Sequence, residues 1–301
     1  MPAAQFRRVR KGMVIIMKVL VTGAKGQLGF DVVQELMRCG ISALGVDREE
    51  MDITDADAVD RVVKDSGADA VIHCAAYTAV DAAQENTSLC QRVNRDGTKN
   101  IAMACLKYGK KMLYISTDYV FDGEGEKPWE PEDHTNPVNV YGRTKYEGEL
   151  AVLETLGEYF IVRVSWVFGL HGKNFVKTML RLSGERECLH VVDDQFGSPT
   201  YTRDLAVLLA AMVQTDRYGV YHATNEGICS WYEFACEIFR QAGKVVQVEA
   251  VPSDAFPVRA KRPHNSRMDK GKLIKEGLFL LPRWEDALSR YLLELREAGE
   301  I

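Results

Sequence analysis

The run Tyr141-Gly142-Arg143-Thr144-Lys145 sets a phenol and an ammonium four residues apart. On a helix these two side chains share a face. A phenol of pKa about 10 is a poor acid–base group at neutral pH. A neighbouring ammonium that stabilises the phenolate lowers that value. The pair also occurs by chance on helix surfaces, so it needs company. Ser116-Thr117-Asp118 supplies it, at the carboxyl end of a predicted parallel strand, where ligands of open α/β sheets bind. Thr117 can hydrogen-bond a reacting carbonyl or alcohol oxygen beside Tyr141. Asp118 either orients a hydroxyl of the substrate or caps the turn.

A second group of residues is suited to phosphates. Thr22-Gly23-Ala24-Lys25-Gly26-Gln27-Leu28-Gly29 follows a strand and opens a helix. Gly23 allows the tight turn, Gly26 lets the backbone approach a pyrophosphate, and Gly29 allows close helix–strand packing. The free N–H groups of the helix start then face the phosphates. The spacing is GxxGxxG rather than GxGxxG. Asp47 ends the second strand, at the distance past the last glycine where a ribose-binding acid is expected. Asp52-Ile53 offers an adenine edge contact. Asp47 favours NADH by repelling a 2′-phosphate, but the adjacent Arg48 can hold one, so NADH and NADPH both stay open. Lys145 can hydrogen-bond the nicotinamide ribose. Cys74-Ala75-Ala76-Tyr77-Thr78 ends a third strand, where small residues let the backbone come close to a cofactor. Asp81 reads as a helix cap.

The elements that must position these groups alternate. Strands are predicted at 18–22, 43–46, 70–73, 111–116 and 160–165, with helices at 27–38, 57–66, 88–108 and 142–156. Short apolar strands alternating with helices predict an α/β fold, a doubly wound parallel sheet of Rossmann-like type. Beyond residue 166 the pattern loosens into proline-containing loops and helices near 203–214, 231–242 and 284–297. The expected division is a dinucleotide-binding domain at 17–165, with part of 190–215 returning to it, and a smaller, mostly C-terminal substrate-binding region at 166–301. Residues 1–16 carry the basic stretch Arg7, Arg8, Arg10, Lys11 and are expected to lie outside the fold, with Met17 as the natural start.

Composition narrows the partners. The chain is 46% hydrophobic and 27% charged, with net charge −5 and a pI near 5.8. That argues against nucleic acid or an anionic membrane surface as partner. The longest apolar run, Leu205 to Val213, is far short of a membrane span. Seven cysteines, with no CxxC pair, read as reduced thiols in a cytoplasmic protein rather than a zinc site or disulfide framework.

Together these residues resemble the extended short-chain dehydrogenase/reductase family, which acts on nucleotide sugars. Seven runs in order narrow the resemblance to the branch that reduces dTDP-4-dehydrorhamnose. They are HCAAYTAVDAA (73–83), STDYVFDG (116–123), NPVNVYGRTKYEGE (136–149), RVSWVFG (163–169), NFVKTMLRL (174–182), DDQFGSPT (193–200) and RPHNSR (262–267). The resemblance covers roughly residues 17–297. It implies hydride transfer from NADH or NADPH to the C4 keto carbon of dTDP-4-dehydro-L-rhamnose, giving dTDP-L-rhamnose. Tyr141 would donate the proton, with Lys145 and Thr117 assisting. Gly26, Gln27, Leu28, Asp47, Asp52, Ile53, Ala75, Ala76, Tyr77, Ile115, Tyr141 and Lys145 would contact the cofactor, beside the turn glycines Gly23 and Gly29. Thr117, Asp118 and Trp166 would contact the substrate.

An indole such as Trp166 can cover an apolar sugar face or simply pack after its strand. Arg259, Lys261 and Arg262 would suit a pyrophosphate or form a solvated surface run. Some members are thought to dimerise through Mg²⁺ held by glutamates. The corresponding first-helix position is Asp31, so a homodimer is an expectation and a metal is not. Rival readings on the same scaffold are a 4-epimerase, a different nucleotide-sugar 4-ketoreductase, or a 4,6-dehydratase, which would want an acid after Asp118 where Tyr119 stands. A rival of another class is a non-catalytic subunit similar to the regulatory subunit of methionine adenosyltransferase. Thr117, Tyr141 and Lys145 together favour an enzyme.

Overall fold

The computed structural model describes residues 8–10, 13–15 and 17–301. Its centre is a six-stranded sheet formed by β1 (Lys18–Thr22), β2 (Ser42–Val46), β3 (Ala70–His73), β4 (Lys111–Thr117), β5 (Tyr159–Val164) and β6 (Gly219–His222). The order is β6-β5-β4-β3-β1-β2 and every pairing is parallel. The chain steps from β1 to β2 on one side and then back to β3 on the other. That reversal opens a crevice outside the carboxyl ends of β1 and β3. β1, β3 and β4 are almost continuously buried, as strands covered on both faces must be.

The helices that cover the sheet follow from apolar spacing and caps. α1 (Gln27–Arg38) buries Leu28, Val32 and Leu36 and packs on α5 (Thr202–Met212). These two helices and the strands beneath them form one core. α2 (Ala56–Ser66) starts at Asp55, whose carboxylate accepts from the N–H groups of Asp57 and Ala58. With α3 (Thr98–Tyr108) and α4 (Val140–Thr155) it builds the core on the opposite face. A third core, rich in aromatics from Phe168 to Tyr291, lies among the helices Phe175–Ser183, Trp231–Ala242 and Trp284–Glu297. No helix among the described residues is long and apolar enough to cross a membrane.

Two elements differ from expectation. The helix predicted at 88–108 is broken: Thr87–Gln91 is α-helical, Arg92–Gly97 is a π-helical turn, and α3 resumes at Thr98. The side chain of Asn94, inside that turn, accepts from Tyr77 N at 2.8 Å and donates to Tyr77 O at 3.1 Å. A π-turn at such a clamp is a recurrent device near functional sites. β6 was not expected at all; at four residues and half-exposed at its start, it shows no apolar run. It lies beyond 190–215, the stretch expected to return to this layer. N-terminally, Arg8–Arg10 pairs antiparallel with Met13–Ile15 as a separate ribbon; the rest of the expectation for residues 1–16 lies outside the described residues.

α4 is tied to the sheet by a buried ion pair. Arg163 on β5 donates to Glu149 at 2.9 and 2.7 Å, and to Pro131 O at 3.0 Å. Removing one partner of such a pair strands a buried charge. Glu149→Ala is therefore expected to lose about 3–5 kcal/mol in chemical denaturation, and a loss below about 1 kcal/mol would show that the pair is not a strut.

Candidate active site

A cleft of about 850 Å³ opens at the carboxyl ends of the strands. That is the scale of a ligand site. At one end lies the glycine turn. Gly23 has φ +67°, and a Cβ there would meet Ala75 N at 2.8 Å. A Cβ on Gly29 would sit 2.1 Å from Gly23 O, so helix α1 can start against the turn only without a side chain. Gln27, Leu28, Asp47, Asp52, Ile53, Ala75, Ala76 and Ile115 line the same cleft. The carboxylate of Asp47 accepts from Lys25 N at 3.1 Å and Arg48 N at 2.8 Å. Arg48 lies 3.4 Å from Asp52. Tyr77 is not among the lining residues. Its backbone is held by Asn94, and its ring packs with Tyr141 around Ala83, Cys90 and Val140.

Tyr141, Lys145 and Thr117 meet in the middle of the cleft. Asn139 caps α4, accepting from Gly142 N at 2.8 Å, which places Tyr141 in the first turn. Thr117 stands beside Tyr141 and draws its phenol pKa down, the sign of a hydroxyl that favours the phenolate. Thr117 Oγ1 also donates to Asp118 Oδ1 at 2.9 Å. Lys145 donates to Ile115 O at 2.6 Å and lies 4.1 Å from the centre of the Tyr114 ring.

The electrostatics correct one expectation. Burial pushes the Tyr141 phenol well above its usual pKa, with Thr117 drawing it partly back. Burial pushes Lys145 itself down to about 7, against the pull of Glu149. The net shift of the phenol is therefore upward rather than the expected downward one, because desolvation disfavours its charged form and the amine is turned to a backbone carbonyl. His73, bonded to Thr22 at 2.7 Å, is held down to about 3 by burial and is neutral.

Asp118 is buried, and both its oxygens are engaged. Thr117 donates to one, and Ser266 Oγ to the other at 2.5 Å. The turn cap is Thr117, which accepts from Tyr119 N at 3.2 Å, rather than Asp118. Asp81 caps nothing; it pairs with Arg262 at 2.6 Å and accepts from Ala260 N. Arg259 pairs with Glu85, and Lys261 lies 3.6 Å from Glu124. The basic cluster is thus matched by acids of neighbouring loops, and neither Arg259 nor Arg262 lines the cleft. Asp31 is buried and accepts from Thr202 Oγ1 at 2.5 Å, turned onto α5.

Trp166 lines the cleft with φ 51°, the one positive value outside glycine among the described residues. Such backbone costs about 1–3 kcal/mol and clusters at functional sites. Asn94, Ser266 and Trp231 are the polar and aromatic supports that sequence reasoning missed. Each comes from a segment remote in sequence, and the only local signal was the RPHNSR run around Ser266.

Asp118 keeps its proton up to about 6 instead of 3.8, chiefly through burial. The native state therefore binds more protons in that window, and stability falls as pH rises through it. Ser266 is a donor that moderates the shift. Ser266→Ala is expected to lose more stability at about pH 7 than at about pH 4, in denaturation curves at both values; equal losses would contradict the assignment.

Comparison with known proteins points one way. The family described as RmlD substrate binding domain matches residues 17–297. A dTDP-4-dehydrorhamnose reductase of Escherichia coli (strain K12) is 37% identical over 293 residues, covering 93% of this chain and 98% of that protein. Another, from Streptomyces griseus, is 42% identical over 277 residues, covering 90% and 91%. A solved dTDP-4-dehydrorhamnose reductase from Bacillus anthracis strain Ames, in complex with NADP, superposes with a TM-score of 0.91 at 42% identity, covering 93% of this chain and all of that one. A match running from the first sheet strand through the last helix makes the chain a member of the RmlD substrate binding domain family.

Proposed function

We propose that the cleft carries out NAD(P)H-dependent reduction of the C4 keto group of dTDP-4-dehydro-L-rhamnose to dTDP-L-rhamnose, with Tyr141 as proton donor. The observation that carries this reading is that Tyr141, Lys145 and Thr117 meet in one cleft with a glycine turn and Asp47. The relatives named as dTDP-4-dehydrorhamnose reductases, one of them solved with NADP, support the same substrate and cofactor.

The residues fit a dinucleotide. The turn packs too closely for a Cβ at Gly23 or Gly29, and it leads into the N-terminus of α1, whose first N–H groups suit a pyrophosphate. Gly26, Gln27 and Leu28 would hold the pyrophosphate, and Asp47 with Arg48 the adenosine ribose. When bound, the reduced nicotinamide supplies the hydride. Tyr141 supplies the proton that turns the resulting C4 alkoxide into the alcohol. For this direction of reaction a high phenol pKa is an asset, since the group enters protonated, and an alkoxide is a stronger base than a buried phenolate. Thr117, beside Tyr141 and donating to Asp118, helps to position the phenol. Lys145 would reach the nicotinamide ribose from its place by Ile115. We assign the glycine turn and Tyr141–Lys145 to a cofactor layer at 17–165, and Trp166 to a substrate-binding region at 166–301.

Tyr141→Phe is expected to reduce turnover by about 10²-fold or more with cofactor affinity retained, the scale of general acid catalysis, measured by loss of NADPH absorbance with dTDP-4-dehydrorhamnose. Unchanged turnover would remove Tyr141 from the chemistry. Asp47→Ala is expected to lower kcat/KM for NADH more than for NADPH. A wild-type enzyme strongly preferring NADPH would contradict the ribose role given to Asp47.

A further inference from the structure

Trp231 stands directly behind Trp166. The two indoles are stacked with centroids 3.6 Å apart and planes 14° from parallel. Phe175 also packs on Trp231, at 4.6 Å and 53°. Trp231 thus contacts further rings, whereas Trp166 meets no other ring than Trp231 among the described residues. Both indoles line the cleft.

The setting of Trp231 is rigid. It is the first residue of its helix, and Ser230 and Glu233 close a reciprocal cap on either side of it, at 3.1 and 2.8 Å. Ser230 also donates to Asp193 at 2.5 Å. Phe175 opens a helix capped by Asn174, whose amide donates to Gln27 in the glycine turn at 3.0 Å. Trp166 itself has the positive φ described above, and its carbonyl accepts from Thr200 N at 3.2 Å. Gly197 packs against the indole, since a Cβ there would lie 2.9 Å from Cε2 and 3.0 Å from Cζ2.

We infer that Trp231 is a positioning residue for substrate specificity: it buttresses the strained Trp166 so that this indole is held where the cleft receives the sugar nucleotide. The inference rests on the reaction proposed above. It separates Trp231, which touches no substrate, from Trp166, which does.

The test is a kinetic double-mutant cycle on the full chain. Trp231→Ala is expected to raise KM for dTDP-4-dehydrorhamnose about tenfold, the scale of an aromatic pair, with kcat and the KM for NADPH essentially unchanged. Trp231→Phe recovers most of that loss. Trp166→Ala is at least as damaging, and the double variant is no worse than Trp166→Ala alone, because Trp231 acts only through Trp166. An unchanged substrate KM in Trp231→Ala overturns the inference. So does an equal rise in both KM values without rescue by Phe, which marks general damage, or an additive double variant, which marks direct substrate contact. Far-UV circular dichroism supplies a readout without substrate: an indole couplet in the wild type, lost in Trp231→Phe and Trp166→Phe alike. Its absence from the folded wild type overturns the stack. Wild-type failure to turn over the sugar is seen before any variant is made and sinks the proposed reaction, whereas full wild-type turnover with an indifferent Trp231→Ala sinks this inference alone.

Discussion

Desolvation governs this site. Tyr141, Thr117, Asp118 and Lys145 lie in one cleft, and burial moves each of the three titratable groups toward its neutral form: the phenol and the carboxyl upward, the amine down to about 7. Burial makes each charge costly, so the groups that stay charged need hydrogen-bonding partners. Thr117 stands beside Tyr141 and gives to Asp118, and Ser266 closes the far side. The arrangement is a proton donor held ready, and it differs from the simpler picture of an amine that makes a phenol acidic.

The fold serves that arrangement through contacts between distant segments. The strand order places the glycine turn and the end of β4 on the same side of the sheet. The π-turn at Arg92–Gly97 aims Asn94 at both the Tyr77 loop and Thr144 of α4. Arg163 and Glu149 hold α4 against β5. Trp166 adds a strained backbone, its indole packed against Trp231 and the small residue Gly197. Local irregularity is concentrated at the cleft, while the strands behind it are regular, as expected where function competes with ideal geometry.

Much of this was legible in the sequence. The first five strands, the glycine turn, and the Tyr141–Lys145 pair follow from short-range periodicity and spacing, which one segment carries by itself. What escaped depends on partners far along the chain. Nothing near Ser266 announces that it will meet Asp118, and nothing near Arg259 or Arg262 announces Glu85 and Asp81. The break inside 88–108 falls on Arg92–Gly97, which holds the weak helix formers Val93, Asn94, Asp96 and Gly97, but its π-helical register is tied to the distant Tyr77 backbone through the Asn94 clamp. The pKa direction of Tyr141 was misjudged for the same reason: burial is a property of the assembled fold, and the i, i+4 spacing describes only proximity.

The sixth strand has a consequence for how the molecule comes into being. Gly219–His222 lies beside Tyr159–Val164, and Thr202–Met212 covers Gln27–Arg38, so the nucleotide layer is finished by chain that emerges after Trp166 has already been placed. A fragment stopping near residue 165 would bare the edge of Tyr159–Val164 and leave the first helix half uncovered. The two halves of the cleft are thus interlaced along the polypeptide, and the protein cannot be cut there into an autonomous cofactor module and a detachable sugar module. Recombining such halves between relatives would have to carry residues 202–222 with the first piece.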